Sequence, residues 1–195
     1  MHLADIAPSI FSTLGVADSQ NRMDIAPSPS GRECLFLIDG LGASAIKEYG
    51  DLLPNISAMF SHGSLQTSFP STTATALTTL TTGQLPGAHG MLGYTVRVPR
   101  SGGRILNALK WDERVDPLMW QPIPTLFERA QSSGVTVSHI AAKRYENSGF
   151  TRAAFRGAEY KGANILSDLV DEAKKALTSS PSLSLIHIRR CRRRG

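Results

Sequence analysis

Two oxygen-bearing side chains stand out for where they fall in the chain: Asp39, which ends the apolar run Cys34–Ile38, and a threonine near the start of FPSTTATALTTLTTG, Phe69 to Gly83. A carboxylate in a tight Asp39-Gly40-Leu41-Gly42 turn is a hard oxygen donor with room for an ion beside it, because the glycines let the backbone turn sharply. A threonine hydroxyl in the first turn of a helix lies among free N–H groups at the positive dipole end, where phosphate is attracted. That is a setting for a nucleophile attacking phosphorus. Each feature also has a plainer use: Asp39 fixing its own turn, and the hydroxyls capping a helix without catalysis.

The segment after Pro70 needs a reason for its threonines, since a branched side chain loses rotamer freedom inside a helix. A strand is the rival, but Ala74, Ala76, Leu77 and Leu80 recur at helical spacing. Gly83 sits where a left-handed C-cap belongs, and Pro70-Ser71-Thr72 supplies a stop followed by N-cap hydroxyls. A helix beginning at Thr72 or Thr73 is therefore expected. Upstream, Cys34–Ile38 has the length and continuous apolarity of a central strand in a parallel sheet, where ligands collect at the carboxyl ends. Pro54–His62 reads as a short helix and Ser64–Phe69 as a strand, so the order strand, helix, strand, helix indicates α/β organisation. On neighbouring parallel strands Asp39 and Thr73 converge.

The other elements follow from the same signals. Leu3–Leu14 can form an amphipathic helix, and Ser19–Arg32, with Pro27 and Pro29, reads as a connecting loop. A strand is expected at Tyr94–Val98, a turn at Arg100–Arg104, a helix at Pro124–Ser133 stopped by Gly134, and a strand at Val135–Ile140 in which His139 is a core residue. Ala163–Leu177 is amphipathic and should pack on the sheet.

At 195 residues with 41% hydrophobic content, the chain can bury one substantial core. No apolar run approaches the ~20 residues of a bilayer span, and Met1–Gly15 lacks the order of a signal peptide, so a cytoplasmic location and no membrane partner are expected. Cys34 and Cys191 make neither a disulfide framework nor a metal knuckle. The net charge of +5 is local: five of 21 basic residues are the arginines at 189, 190 and 192–194, and without them 16 basic residues meet 16 acidic ones. The body is neutral. A nucleic-acid reading would rest wholly on that tail, and no nucleic-acid partner is expected.

Taken together, Leu37-Ile38-Asp39-Gly40, Pro54-Asn55, Phe69-Pro70-Ser71-Thr72-Thr73, Thr82-Gly83, Pro86-Gly87 and His89-Gly90 resemble the alkaline phosphatase superfamily. Within it they are most similar to the bacterial members of the nucleotide pyrophosphatase/phosphodiesterase branch, over roughly residues 30 to 180. The resemblance implies a mostly parallel sheet flanked by helices and a phosphodiesterase or nucleotide pyrophosphatase acting on a small phosphoester or nucleotide. It further implies two divalent metal ions, expected to be zinc, with Asp39 and Thr73 as metal ligands and Thr73 as the nucleophile that forms a phospho-threonine intermediate. Where better-known members carry Lys and Asn around the nucleophile, this chain has Thr72 and Ala76; helix N–H groups or the Thr75 hydroxyl are the candidates to replace that amide. His89 matches a structural position, and Asn107, Trp111 and Asp112 receive no role.

The family's further ligands, an Asp-x-x-x-His, an Asp-His pair and a last His, have no counterpart between Thr73 and Pro181. From Leu183 onward the chain resembles the translation of a transposon-end adapter. The expectation is therefore the N-terminal part of an alkaline-phosphatase-like catalytic domain over 1–182, a non-native tail over 183–195, an incomplete core and no activity in this piece alone. Two alternatives stay open: a phosphomonoesterase or other superfamily hydrolase, and a Rossmann-like nucleotide-binding module using Gly40 and Gly42. The second lacks the acidic residue expected ~20 positions on, since none lies between Asp51 and Asp112.

Overall fold

The computed structural model describes residues 1–59, 63–178 and 181–189. In chain order the elements are α1 (Ile6–Thr13), β1 (Arg32–Asp39), α2 (Ala43–Tyr49), α3 (Pro54–Met59), α4 (Thr73–Thr82) and α5 (Pro86–His89). There follow β2 (Thr95–Arg97), β3 (Ile105–Asn107), α6 (Pro117–Trp120), α7 (Leu126–Ser132), β4 (Thr136–Ala142), α8 (Gly149–Ala154), β5 (Glu159–Ala163), α9 (Leu166–Ala176) and β6 (Ser182–Arg189). The main sheet has the order β1-β6-β4-β5, and every pair in it is parallel. β2 and β3 form a separate antiparallel hairpin whose turn falls where Arg100–Arg104 was expected.

Alternation along the strands divides the core in two, because successive side chains leave opposite faces of a sheet. On one face Leu35, Leu37, Val137, Leu183 and Leu185 meet α1, α4 and α7 through Phe11, Leu77, Leu80 and Phe127. On the other, Ile140, Ile186, Ile188 and Ala163 are covered by Leu169, Ala173 and Ala176 of α9. This is the mostly parallel sheet flanked by helices that the resemblance implies.

α4 takes its place between the first face and the candidate site. Thr72 caps it, its Oγ1 accepting from Thr75 N at 3.3 Å, and Gly83 ends it at φ +66, as the spacing of residues required. Its threonines are absorbed inside the helix: the hydroxyls of Thr78, Thr81 and Thr82 donate to carbonyls three or four residues back, which removes the cost of burying them.

The strand expected at Ser64–Phe69 does not form. Gln66 makes one bridge to the N-terminus, Leu3 N donating to Gln66 O at 2.8 Å and Gln66 N to Met1 O at 3.2 Å, and the rest is irregular. The physical reason is that the segment has little to bury; Phe69 is 95% exposed. Thr73 thus reaches the sheet edge from a loop rather than a strand. The helix expected to run to His62 is described to Met59, and residues 60–62 lie outside the described residues.

Residues Leu183–Arg189, expected to lie outside the domain, make up most of β6 between β1 and β4. Leu183 and Leu185 face one core and Ile186 the other, which is what a central parallel strand demands. The placement follows from that composition and does not bear on where the segment came from. Residues 190–195 lie outside the described residues.

Between α8 and β5 the chain crosses close over the start of α7. Gly157, at φ +84, has no Cβ there, and one would fall on the backbone of Phe127 and Glu128. Gly157→Ala is expected to destabilise the fold by about 3 kcal/mol or more, read as a lower midpoint in urea; an unchanged midpoint would contradict the packing described.

Candidate active site

β1 ends at Asp39, and Gly40 turns the chain at φ +82, in the left-handed region open to glycine. Its carboxylate does not merely fix that turn. Thr73 Oγ1 donates to Asp39 Oδ2 at 2.9 Å, so the two residues singled out in the sequence meet across 34 positions of chain. Asp39 keeps a quarter of its side chain open to solvent and Thr73 is half-buried, so the pair is reachable from outside. Thr73 is the first residue of α4, where the amide N–H groups of Thr73 and Ala74 precede the first intrahelical bond, Ala76 N to Thr72 O at 2.9 Å.

Thr75, a candidate for the missing amide, is turned the other way. It is fully buried, with its hydroxyl 3.0 Å from that of Thr72. Of the two candidates for that amide, this leaves the N–H groups at the start of α4.

A residue that sequence reasoning passed over completes the surroundings. His187 of β6 lies in register with Leu37, two positions before Asp39 on the same face, and its Nε2 is 3.9 Å from Asp39 Oδ2. That nitrogen is buried with no hydrogen-bond partner among the described residues. Only the strand register carries this neighbourhood; no spacing in the sequence does. Beside Thr73 a cleft of about 30 Å³ opens, lined by Leu77, His139, Phe155, Tyr160 and His187.

Both histidines weighed in the sequence are buried. His89 is fully buried; its Nδ1 accepts from Met91 N at 3.1 Å, so the neutral ring carries its proton on Nε2 and donates to Thr79 Oγ1 at 3.0 Å. It holds the Pro86–Gly90 loop to α4 rather than facing the site. Burial pushes its pKa down to about 4. His139 stacks on Phe155, ring centres 3.8 Å apart and planes within 7°; burial, with a smaller contribution from His187, pushes it down to about 3.

Can these residues hold the expected pair of zinc ions? Two four-coordinate ions take about eight donors. The described residues gather one carboxylate, one hydroxyl and one imidazole nitrogen, and none of them forms a cluster of three or more His, Cys, Asp or Glu. They do not by themselves fit a metal pair.

Lowering the pH tests the two buried rings. The unfolded chain takes up protons near pH 6.5 that the folded rings refuse until about 4 and 3, so their contribution is complete above about 6.5 and falls as the pH drops through that window. Unfolding in urea is expected to show a loss on the order of 2 kcal/mol per histidine between pH 7.5 and pH 5. A flat profile across that range would show both rings to be open to protons.

Compared with protein families, residues 34–184 match the model of type I phosphodiesterase / nucleotide pyrophosphatase. Comparison with curated proteins and with solved structures gives no match.

Proposed function

Because the chain belongs to the type I phosphodiesterase / nucleotide pyrophosphatase family, a branch of the alkaline phosphatase superfamily, we propose that it carries the nucleophile half of a metal-dependent phosphoester hydrolase active on small phosphodiesters or nucleotides. The observation that carries the reading is the 2.9 Å hydrogen bond from Thr73 Oγ1 to Asp39 Oδ2 at the start of α4. A hydroxyl held there by a carboxylate presents its lone pairs outward, and the first N–H groups of α4 point to where a phosphoryl oxygen would sit.

In the proposed reaction Thr73 Oγ1 bonds to phosphorus, its proton leaves along the hydrogen bond toward Asp39, and the bond from phosphorus to the leaving alcohol breaks. The departing oxygen takes a proton from water, and the hydroxide so formed takes up the proton held at Asp39. A second water then splits the phospho-threonine, releasing phosphate or phosphomonoester and restoring the hydroxyl. A pair of divalent ions, zinc in our reading, would supply the positive charge that makes a neutral alcohol a competent nucleophile. The donors among the described residues are too few for that pair, so the 195-residue chain is proposed to be inactive alone and a longer form carrying the remaining ligands to be the enzyme.

Against the nucleotide-binding alternative, Gly40 at φ +82 has a sufficient role in the turn after Asp39, and Gly42 is the extended N-cap residue of α2. No helix among the described residues is long and apolar enough to cross a membrane. A cytoplasmic location and the absence of a nucleic-acid partner belong to the proposal on the sequence grounds given above.

The test is turnover of an aryl phosphodiester with added zinc. We expect none from the 195-residue chain, and from a longer form turnover that Thr73→Ala lowers by about a thousandfold or more. Zinc-dependent turnover by the short chain would overturn its inactivity, and an unimpaired Thr73→Ala variant would overturn the nucleophile. Faster cleavage of the aryl phosphomonoester than of the diester would transfer the chain to the phosphomonoesterase reading.

A further inference from the structure

β1 lies at one edge of the main sheet. It pairs with β6 on one side and with no other strand among the described residues. Ser182 N donates to Gly31 O at 3.0 Å, which sets the phase of that ladder: the main-chain groups of Glu33, Leu35 and Leu37 turn to β6, and those of Cys34 and Phe36 turn away. Among the described residues no hydrogen bond reaches the N–H or C=O of Cys34 or Phe36.

The same strand leaves an apolar strip open. α9 covers Ile140 and Ile186 but not their neighbour Phe36, which is in register with Ile186 and 49% exposed, and Cys34 is exposed beside it. α2, which follows β1, buries none of its residues and gives no cover. A parallel strand that is apolar on both faces ordinarily belongs inside a sheet. The opposite edge is different: β5 carries Glu159 and Lys161, 3.3 Å apart, and charges of this kind keep an edge from pairing. Between Glu33 and Asp39, β1 has none.

We propose that β1 is the surface by which two copies of this chain associate, antiparallel about a two-fold axis through Leu35, so that the two sheets run on as one. Such an axis keeps each residue opposite one on the same face, and charge selects the register. With Leu35 on the axis, Cys34 faces Phe36 of the other copy, Glu33 faces Leu37 and Arg32 faces Ile38, which brings Arg32 alongside the Asp39 end. With Phe36 on the axis, Glu33 would face Asp39, two carboxylates directly opposed. With Cys34 on it, the overlap shrinks to Arg32–Phe36. In the chosen register the free N–H and C=O groups of Cys34 and Phe36 bond one another across the axis, and each Phe36 gains cover. The outer edges of the joined sheet are then two copies of β5, guarded by its charges, so the assembly closes at two. This association is independent of the reaction proposed at Thr73.

Sedimentation equilibrium of the full chain tests it. A particle of twice the chain mass that dissociates on dilution is expected; a monomer at every concentration, or a mass that climbs beyond two copies, overturns the proposal. Phe36→Lys sets a charge on the strip and is expected to raise the dimer dissociation constant about tenfold or more. Cys34→Pro removes an edge-facing N–H that no bond within one copy uses, and should do the same. Circular dichroism shows which variants keep the fold, and a folded variant that dimerises as before overturns the proposal. The register is read with Phe36→Cys in a Cys191→Ser background oxidised by glutathione disulfide. Opposed residues of a hydrogen-bonded antiparallel pair stand about 5.5 Å apart at Cα, within disulfide range. Peptide mass mapping is expected to find position 34 of one copy bonded to position 36 of the other; a bond from 34 to 34 or from 36 to 36 overturns the axis at Leu35.

Discussion

The structure depends on one contact, the hydrogen bond by which the first residue of α4 reaches the last residue of β1. It joins an element fixed by the sheet to one fixed by the core. Leu35 and Leu37 hold β1 in register with β6, while Leu77 and Leu80 hold α4 against α1 and α7. With both elements anchored elsewhere, the hydroxyl and the carboxylate are brought together with little freedom left to lose. Such a pair costs less entropy to order than two side chains on mobile loops.

The same arrangement explains why so many threonines can be buried in a ten-residue helix. A helix that presents a hydroxyl at its first turn and packs on a core with its remaining faces would ordinarily be built from leucine and alanine. Here the buried hydroxyls return to the helix's own carbonyls, and Thr79 meets the neutral ring of His89. Each of these hydroxyls has a hydrogen-bond partner, so none is buried without one. The Pro86–Gly90 loop is thereby tied to the helix that bears Thr73, at a distance from the chemistry.

Much of this was legible in the sequence because it is local. The N-cap at Thr72, the stop at Gly83, the apolar run of β1 and the turn at Gly40 are each written within a few residues. The alternating strand and helix order already pointed to Asp39 and Thr73 converging, and the resemblance of the motif order added the roles expected of them. What escaped is non-local. β5 reads EYKGA, with no apolar alternation to reveal it, and is made a strand by pairing with β4 through Tyr160 and Gly162. His187 enters the site through register, a relation between strands some 150 residues apart. The segment before Thr73 failed the other way: it has the length of a strand but nothing to bury, and packing decided against it.

The most direct measurement of the central claim is a double-mutant cycle in unfolding free energy with Asp39→Asn, Thr73→Val and the pair. Valine keeps the shape of threonine and removes the donor. A coupling of about 1 kcal/mol or more between the two positions is the result this account predicts. Strictly additive effects would mean that the hydroxyl and the carboxylate do not hold one another, and the site as described would not exist.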